Sequence, residues 1–164
     1  MRGRRGASLI EFTLIGIPVI FVTAGIVNAS IVMWQFSNMA YAIQVTDSYV
    51  VVHGRGCTQN GNSCSLTVGN VASMIAAQAT SLEPSQLKIT LTTHSATLTC
   101  EPLSNCIGNT TQFPSSTDNA VNFDVKIVAS YPFASPVAMF WPGSGSDSSG
   151  TIRLAATTRQ TIQF

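Results

Sequence analysis

A chain of 164 residues with 8 basic and 7 acidic side chains has room for one domain with a core of ordinary size, and its net charge of +1 gives no reason to expect a nucleic-acid partner. Only 9% of residues are charged, well below the roughly one quarter usual in soluble proteins, and 45% are hydrophobic. The charge is also unevenly placed: Arg2, Arg4 and Arg5 precede Gly6, and without residues 1–6 the count is 5 basic against 7 acidic, net −2. The body of the chain is rich in Ser, Thr, Asn and Gln, a composition common in extracellular domains.

From Phe12 to Thr46 no residue is charged. The apolar run over 14–34 is about the twenty residues needed to span a membrane, and longer than the apolar region of a cleaved secretory peptide. A signal anchor fits better, with the Arg cluster held in the cytoplasm and everything after Trp34 exported. Pro18 removes one backbone donor and is expected to kink the helix around residues 16–18, which membrane helices tolerate. Gly25 and Ala29 stand four apart, a small-residue pair that lets helices approach closely, with Asn28 and Ser30 placed to hydrogen-bond across the contact. Glu11 sits at the mouth of this span. A carboxylate near a bilayer centre costs about 2.5 kcal/mol or more, so such residues are usually retained for a function. The bland alternative is a carboxylate at the headgroup boundary, touching water.

The stretch Gly6-Ala7-Ser8-Leu9-Ile10-Glu11-Phe12 looks like a prepilin peptidase site, and the wider string RRGASLIEFTLIGIPVIFV resembles the TadE-like family, the minor pseudopilins of tight-adherence pili. The resemblance covers about thirty residues; the C-terminal half matches only in general form. It implies cleavage after Gly6 by a prepilin peptidase, which would leave Ala7 first and Glu11 fifth in the mature chain. It implies that Glu11, with Phe12 beside it, pairs with the freed N-terminal amine of a neighbouring subunit, satisfying two charges otherwise stranded in an apolar bundle. The partners it implies are other pilin subunits, in a homo- or hetero-oligomer, the peptidase, and the inner leaflet and bilayer. The protein is expected in the bacterial inner membrane before assembly, and then in an extracellular pilus or a periplasmic assembly complex.

The residues themselves divide the chain into a basic leader over 1–6, a long helix over 7–52 and a head over 53–164. Beyond Trp34, Met39, Ile43, Thr46 and Val50 recur at helical spacing and give one face to bury against the head; HGRG at 53–56 stops the helix. Val68, Val71, Ile75 and Ala79 predict a short amphipathic helix that ends before Glu83-Pro84. Leu87, Ile89 and Leu91 alternate with polar residues, as one buried strand face does. Val121, Phe123, Val125, Ile127, Ala129 and Tyr131 alternate with Asn122, Asp124, Lys126 and Ser130 in a second strand. A final strand from Thr151 puts Ile152, Leu154, Ala156 and Ile162 inward, and the GSGSDSSG run at 143–150 is a linker. The expected class is α+β, with an antiparallel sheet of three to four strands.

Six residues separate Cys57 from Cys64 and five separate Cys100 from Cys106, spacings unlike the two to four of zinc sites. An even count on the exported side indicates disulfides. Three connectivities are open, and Cys57–Cys64 with Cys100–Cys106 is favoured because each pair encloses a turn-rich loop. Catalysis finds little support. His53 and His94 have no partner pattern, no phosphate loop or paired-histidine metal motif occurs, and Asp118 and Asp124 lack the dense acidic spacing of a calcium loop, so solvated surface carboxylates are expected. Asn109-Thr-Thr111 permits glycosylation only in a host that performs it. Tyr131-Pro-Phe133 and Phe140-Trp141-Pro142 form an aromatic cluster, either a docking patch or, the favoured reading, cover for one end of the core. No enzyme, cofactor, metal or small-molecule substrate is expected. A minor pilin leads, with a principal filament subunit or a non-polymerising anchored binding domain as rivals.

Overall fold

Residues 4–53, 66–134 and 151–162 are described by the computed structural model, with side chains from residue 10 onward. Helix α1, Arg4–Val52, is one uninterrupted α-helix that runs through Pro18. Its helical backbone begins before Ala7, so the last residues of the expected leader already belong to it. The two halves of α1 meet different surroundings. Over residues 10–31 most apolar side chains lie on the surface, Ile10, Phe12 and Leu14 each at least 68% exposed. From Met39 onward one face is sealed: Met39, Ile43, Thr46 and Val50 are buried as their spacing predicts, together with Ala42, Asp47 and Val51.

Helix α2, Val68–Gln78, has Val68, Val71, Ala72 and Ile75 buried, the i, i+3, i+4, i+7 stripe expected. Thr67 caps it, its hydroxyl accepting from the Asn70 N–H at 3.2 Å. The first-turn donors that a helix leaves open are taken by a crossing segment: Val68 N–H donates to the Thr111 carbonyl (2.8 Å) and Gly69 N–H to that of Asn109 (2.9 Å). That crossing needs glycine, because a Cβ on Gly69 would stand 2.8 Å from the Asn109 carbonyl oxygen.

The sheet comprises β1 (Lys88–Thr92), β2 (Thr97–Cys100), β3 (Asp124–Ala134) and β4 (Thr151–Thr161), antiparallel in the order β2-β1-β3-β4. Leu87, Ile89, Leu91, Val125, Ile127, Ala129, Leu154 and Ala156 point inward, and α1 packs against β3, β4 and α2. Burying side chains such as Ile43, Ile89 and Ile127 contributes about 1.5–3 kcal/mol each. The head's core therefore includes the C-terminal part of α1, and the chain position 52/53 does not divide it.

One expectation needs correction, and one strand of the expected three to four had no position assigned to it. The third strand begins at Asp124, not Val121: Asn122 has φ 70°, and this left-handed residue breaks the alternation, leaving Val121 51% exposed. The unassigned strand is β2. It has four residues, shows its threonines to solvent and follows a turn with no glycine to announce it.

Candidate functional site

Glu11 lies on the exposed half of α1. It shares a shallow groove with Phe12, Ile15, Gly16 and Val19, as helical spacing dictates, so the carboxylate rides on an apolar surface that the described residues leave uncovered. Gly25 and Ala29 are exposed, and a Cβ at Gly25 would meet nothing within 4 Å. No described residue packs against this small-residue face. Hydroxyls on this half bond back into their own helix: Thr23 Oγ1 to the carbonyls of Val19 and Ile20 (2.9 Å each), Ser30 Oγ to that of Ile26 (2.8 Å). Gly6 and Ala7 lie on the helical backbone of α1's first turns.

The head holds the disulfide Cys100–Cys106, closing the end of β2 onto a 3-10 turn at Leu103–Cys106, with both cysteines buried. That is one of the two pairs favoured from sequence. Cys57 and Cys64 lie outside the described residues, as do Phe140-Trp141-Pro142 and the 143–150 run. Tyr131 and Phe133 are buried in β3 and belong to the core.

The carboxylates are more engaged than their sequence context suggests. Asp118 is 2% exposed, not a solvated surface group. It accepts from Thr93 Oγ1 and from Ser95 Oγ (2.7 Å), pinning the β1–β2 turn. Those hydrogen bonds, Thr93 first, hold its carboxyl below the usual range against the opposing effect of burial. Asp124 is bonded to Arg159 and to the Thr161 hydroxyl, which lowers its pKa likewise. Among the described residues no three His, Cys, Asp or Glu side chains come together as a metal site would need. His53 stacks on Tyr49 with centroids 3.8 Å apart, and His94 on Phe123 at 4.6 Å.

Sequence reasoning missed Asp47. It is fully buried between α1 and β4, with Oδ2 accepting from Thr158 Oγ1 and Oδ1 without a hydrogen-bond partner; Thr46 Oγ1 beside it in sequence also has none. The elements packed there offer no counter-charge: α2 has no ionisable residue, the inner face of β3 has only Tyr131, and that of β4 has none. Burial accordingly raises the Asp47 pKa to about 6, opposed by the Thr158 hydrogen bond. The signal was available, since Asp47 stands four residues beyond Ile43, on the stripe that seals the head.

Fold and surface together define an α+β protein whose single long helix is half core and half exposed apolar rod. Ile10–Val52 is long and apolar enough to cross a membrane, with a mean hydropathy of 2.2 in its most apolar stretch. No family model, curated protein or solved structure matches this chain.

Proposed function

We propose that this protein is a minor pilin or pseudopilin of a tight-adherence, type IV-like filament, inserted by α1, trimmed after Gly6 and assembled through the exposed half of that helix. One observation carries the reading. The Gly6-to-Glu11-Phe12 stretch that resembles a prepilin peptidase site leads directly into an apolar surface left uncovered by the described residues, on a helix whose continuation is built into the head. Residues 10–31 extend roughly 32 Å at about 1.5 Å per residue, close to the roughly 30 Å of a bilayer's hydrocarbon core. The same surface serves twice, facing lipid before assembly and neighbouring helices afterwards. Because α1 enters the core without a break, a pull on the rod is transmitted to the sheet. The mechanism is non-enzymatic: helix packing drives incorporation and the head supplies contacts.

In an assembly, Glu11 neutralises the α-amine at Ala7 of an adjacent subunit. Removing one partner of such a buried pair costs about 3–5 kcal/mol, enough to depress incorporation by orders of magnitude. Glu11→Ala should still insert, be cleaved and fold its head, since none of those steps needs the carboxylate. It should fail to co-purify with partner pilins from detergent-solubilised envelopes at matched expression. Equal recovery of partners would sink the assembly role and leave a solitary anchored domain as the better reading.

A further inference from the structure

The outer face of the sheet, opposite α1, carries a cleft of about 380 Å³ where β1 ends and β3 begins. Register places Thr92, Lys126 and Arg159 in one row across β1, β3 and β4. Like charges directly opposite on neighbouring strands are destabilising, and here the Asp124 carboxylate, which lines the same cleft, offsets one of the two. Asp124 engages only one of the two: Arg159 donates to its Oδ2 through Nε (3.0 Å) and Nη2, while Thr161 donates to Oδ1 (3.1 Å). Lys126 is exposed and has no ion pair among the described residues. One wall is the stacked pair of His94 and Phe123, with ring planes 15° apart. Asn122 lines the cleft too, its left-handed turn fixed by an N–H bond of 3.0 Å to the Ile162 carbonyl.

We propose that this cleft binds an acidic sugar, a uronic-acid ring whose carboxylate meets Lys126 and whose C–H face lies against the His94–Phe123 wall. Three features select that chemistry. The Lys126 ammonium, without an ion pair among the described residues, can meet a carboxylate in a charge-assisted hydrogen bond, among the stronger ones available. The volume lies at the small end of ligand sites, which run from about 300 to 1,000 Å³ and combine an apolar wall with a few polar groups. Thr92 and Asn122 offer both donors and acceptors, as a hydroxylated ring requires and an acidic peptide side chain does not. The site does not depend on α1 or on assembly, so it stands or falls separately from the filament reading.

The test uses the full chain in detergent micelles, titrated with glucuronate, glucose, glutamate and inorganic phosphate and followed by calorimetry and saturation-transfer NMR. Glucuronate should bind saturably. Glucose should bind about tenfold more weakly or less, the factor a lost charge-assisted hydrogen bond represents. Lys126→Gln, at an exposed position, should reproduce that loss, and His94→Ala should weaken glucuronate severalfold while leaving the cations in place. Failure of glucuronate to saturate, or equal binding by Lys126→Gln, would overturn the site. Glutamate or phosphate binding as tightly as glucuronate would overturn the sugar and leave a plain anion site.

Discussion

The Thr158 hydroxyl on β4 donates a 2.9 Å hydrogen bond to Asp47 Oδ2 on α1, joining residues 111 apart in sequence at the seam between rod and sheet. Beside it, Gln160 Nε2 donates to Ser48 Oγ at 2.9 Å. Among the described residues the groups around Asp47 are neutral, so the carboxylate has one neutral donor where an ordinary buried acid would have a charged partner. A residue that weakens the joint at neutral pH therefore sits where α1 is fastened to the head.

The sign of its pH dependence follows from the raised pKa. An acid near 6 when folded and 3.8 when unfolded binds its proton more tightly in the native state. Stability should therefore rise as pH falls from about 6 to about 4, by up to about 3 kcal/mol. Below about 4 the trend reverses, because Asp118 and Asp124, held low in the folded state, lose their hydrogen-bonded anionic forms. Thermal melts across this range should show a maximum on the acid side of neutrality. Asp47→Asn should melt higher than wild type at pH 7 and lose the slope between 6 and 4; an unchanged slope would assign it to another group.

Gly69→Ala tests the crossing at α2. In an open helix the change stabilises by about 1 kcal/mol. Here the new Cβ would lie 2.8 Å and 2.9 Å from backbone atoms of Asn109, which have no flexible end to yield. Overpacking of this kind costs about 1–3 kcal/mol, so the variant should unfold at lower denaturant, with a midpoint shift readable by circular dichroism.

Non-reducing peptide mapping of protein harvested from the envelope should find Cys100 and Cys106 joined. Replacing both with serine removes a short ring, whose closure constrains the unfolded chain by roughly 2 kcal/mol. The midpoint of unfolding should fall accordingly. Free thiols in the native protein would contradict an exported head.

Processing can be read by intact mass. Protein from its native host should begin at Ala7. Gly6→Val should retain the leader, because a branched side chain obstructs close backbone approach at the scissile bond. Wild-type protein that keeps Arg2 in the presence of an active peptidase would count against the pilin proposal.

Periodicity was enough to place both helices, three of the four strands and most of their inward positions, because each depends on local spacing: 3.6 for Met39-Ile43-Val50 and Val68-Val71-Ile75, two for Leu87-Ile89-Leu91 and Val125-Ile127-Ala129. The exposed apolar half of α1 and the Cys100–Cys106 ring were legible for the same reason, being short-range features of composition and spacing. Tertiary structure decided what depends on distant partners. Asp118 became a buried clamp because the 93–96 turn brought two hydroxyls to it, and Val121 stayed outside because Asn122 turned the chain. Sequence order separates Thr92, Lys126 and Arg159, and only strand register aligns them in one row. Asp47 draws on both levels. Its spacing put it on the sealed face, but its strength as an acid was set by burial under the strand that folded over it and by the single hydroxyl that strand supplied.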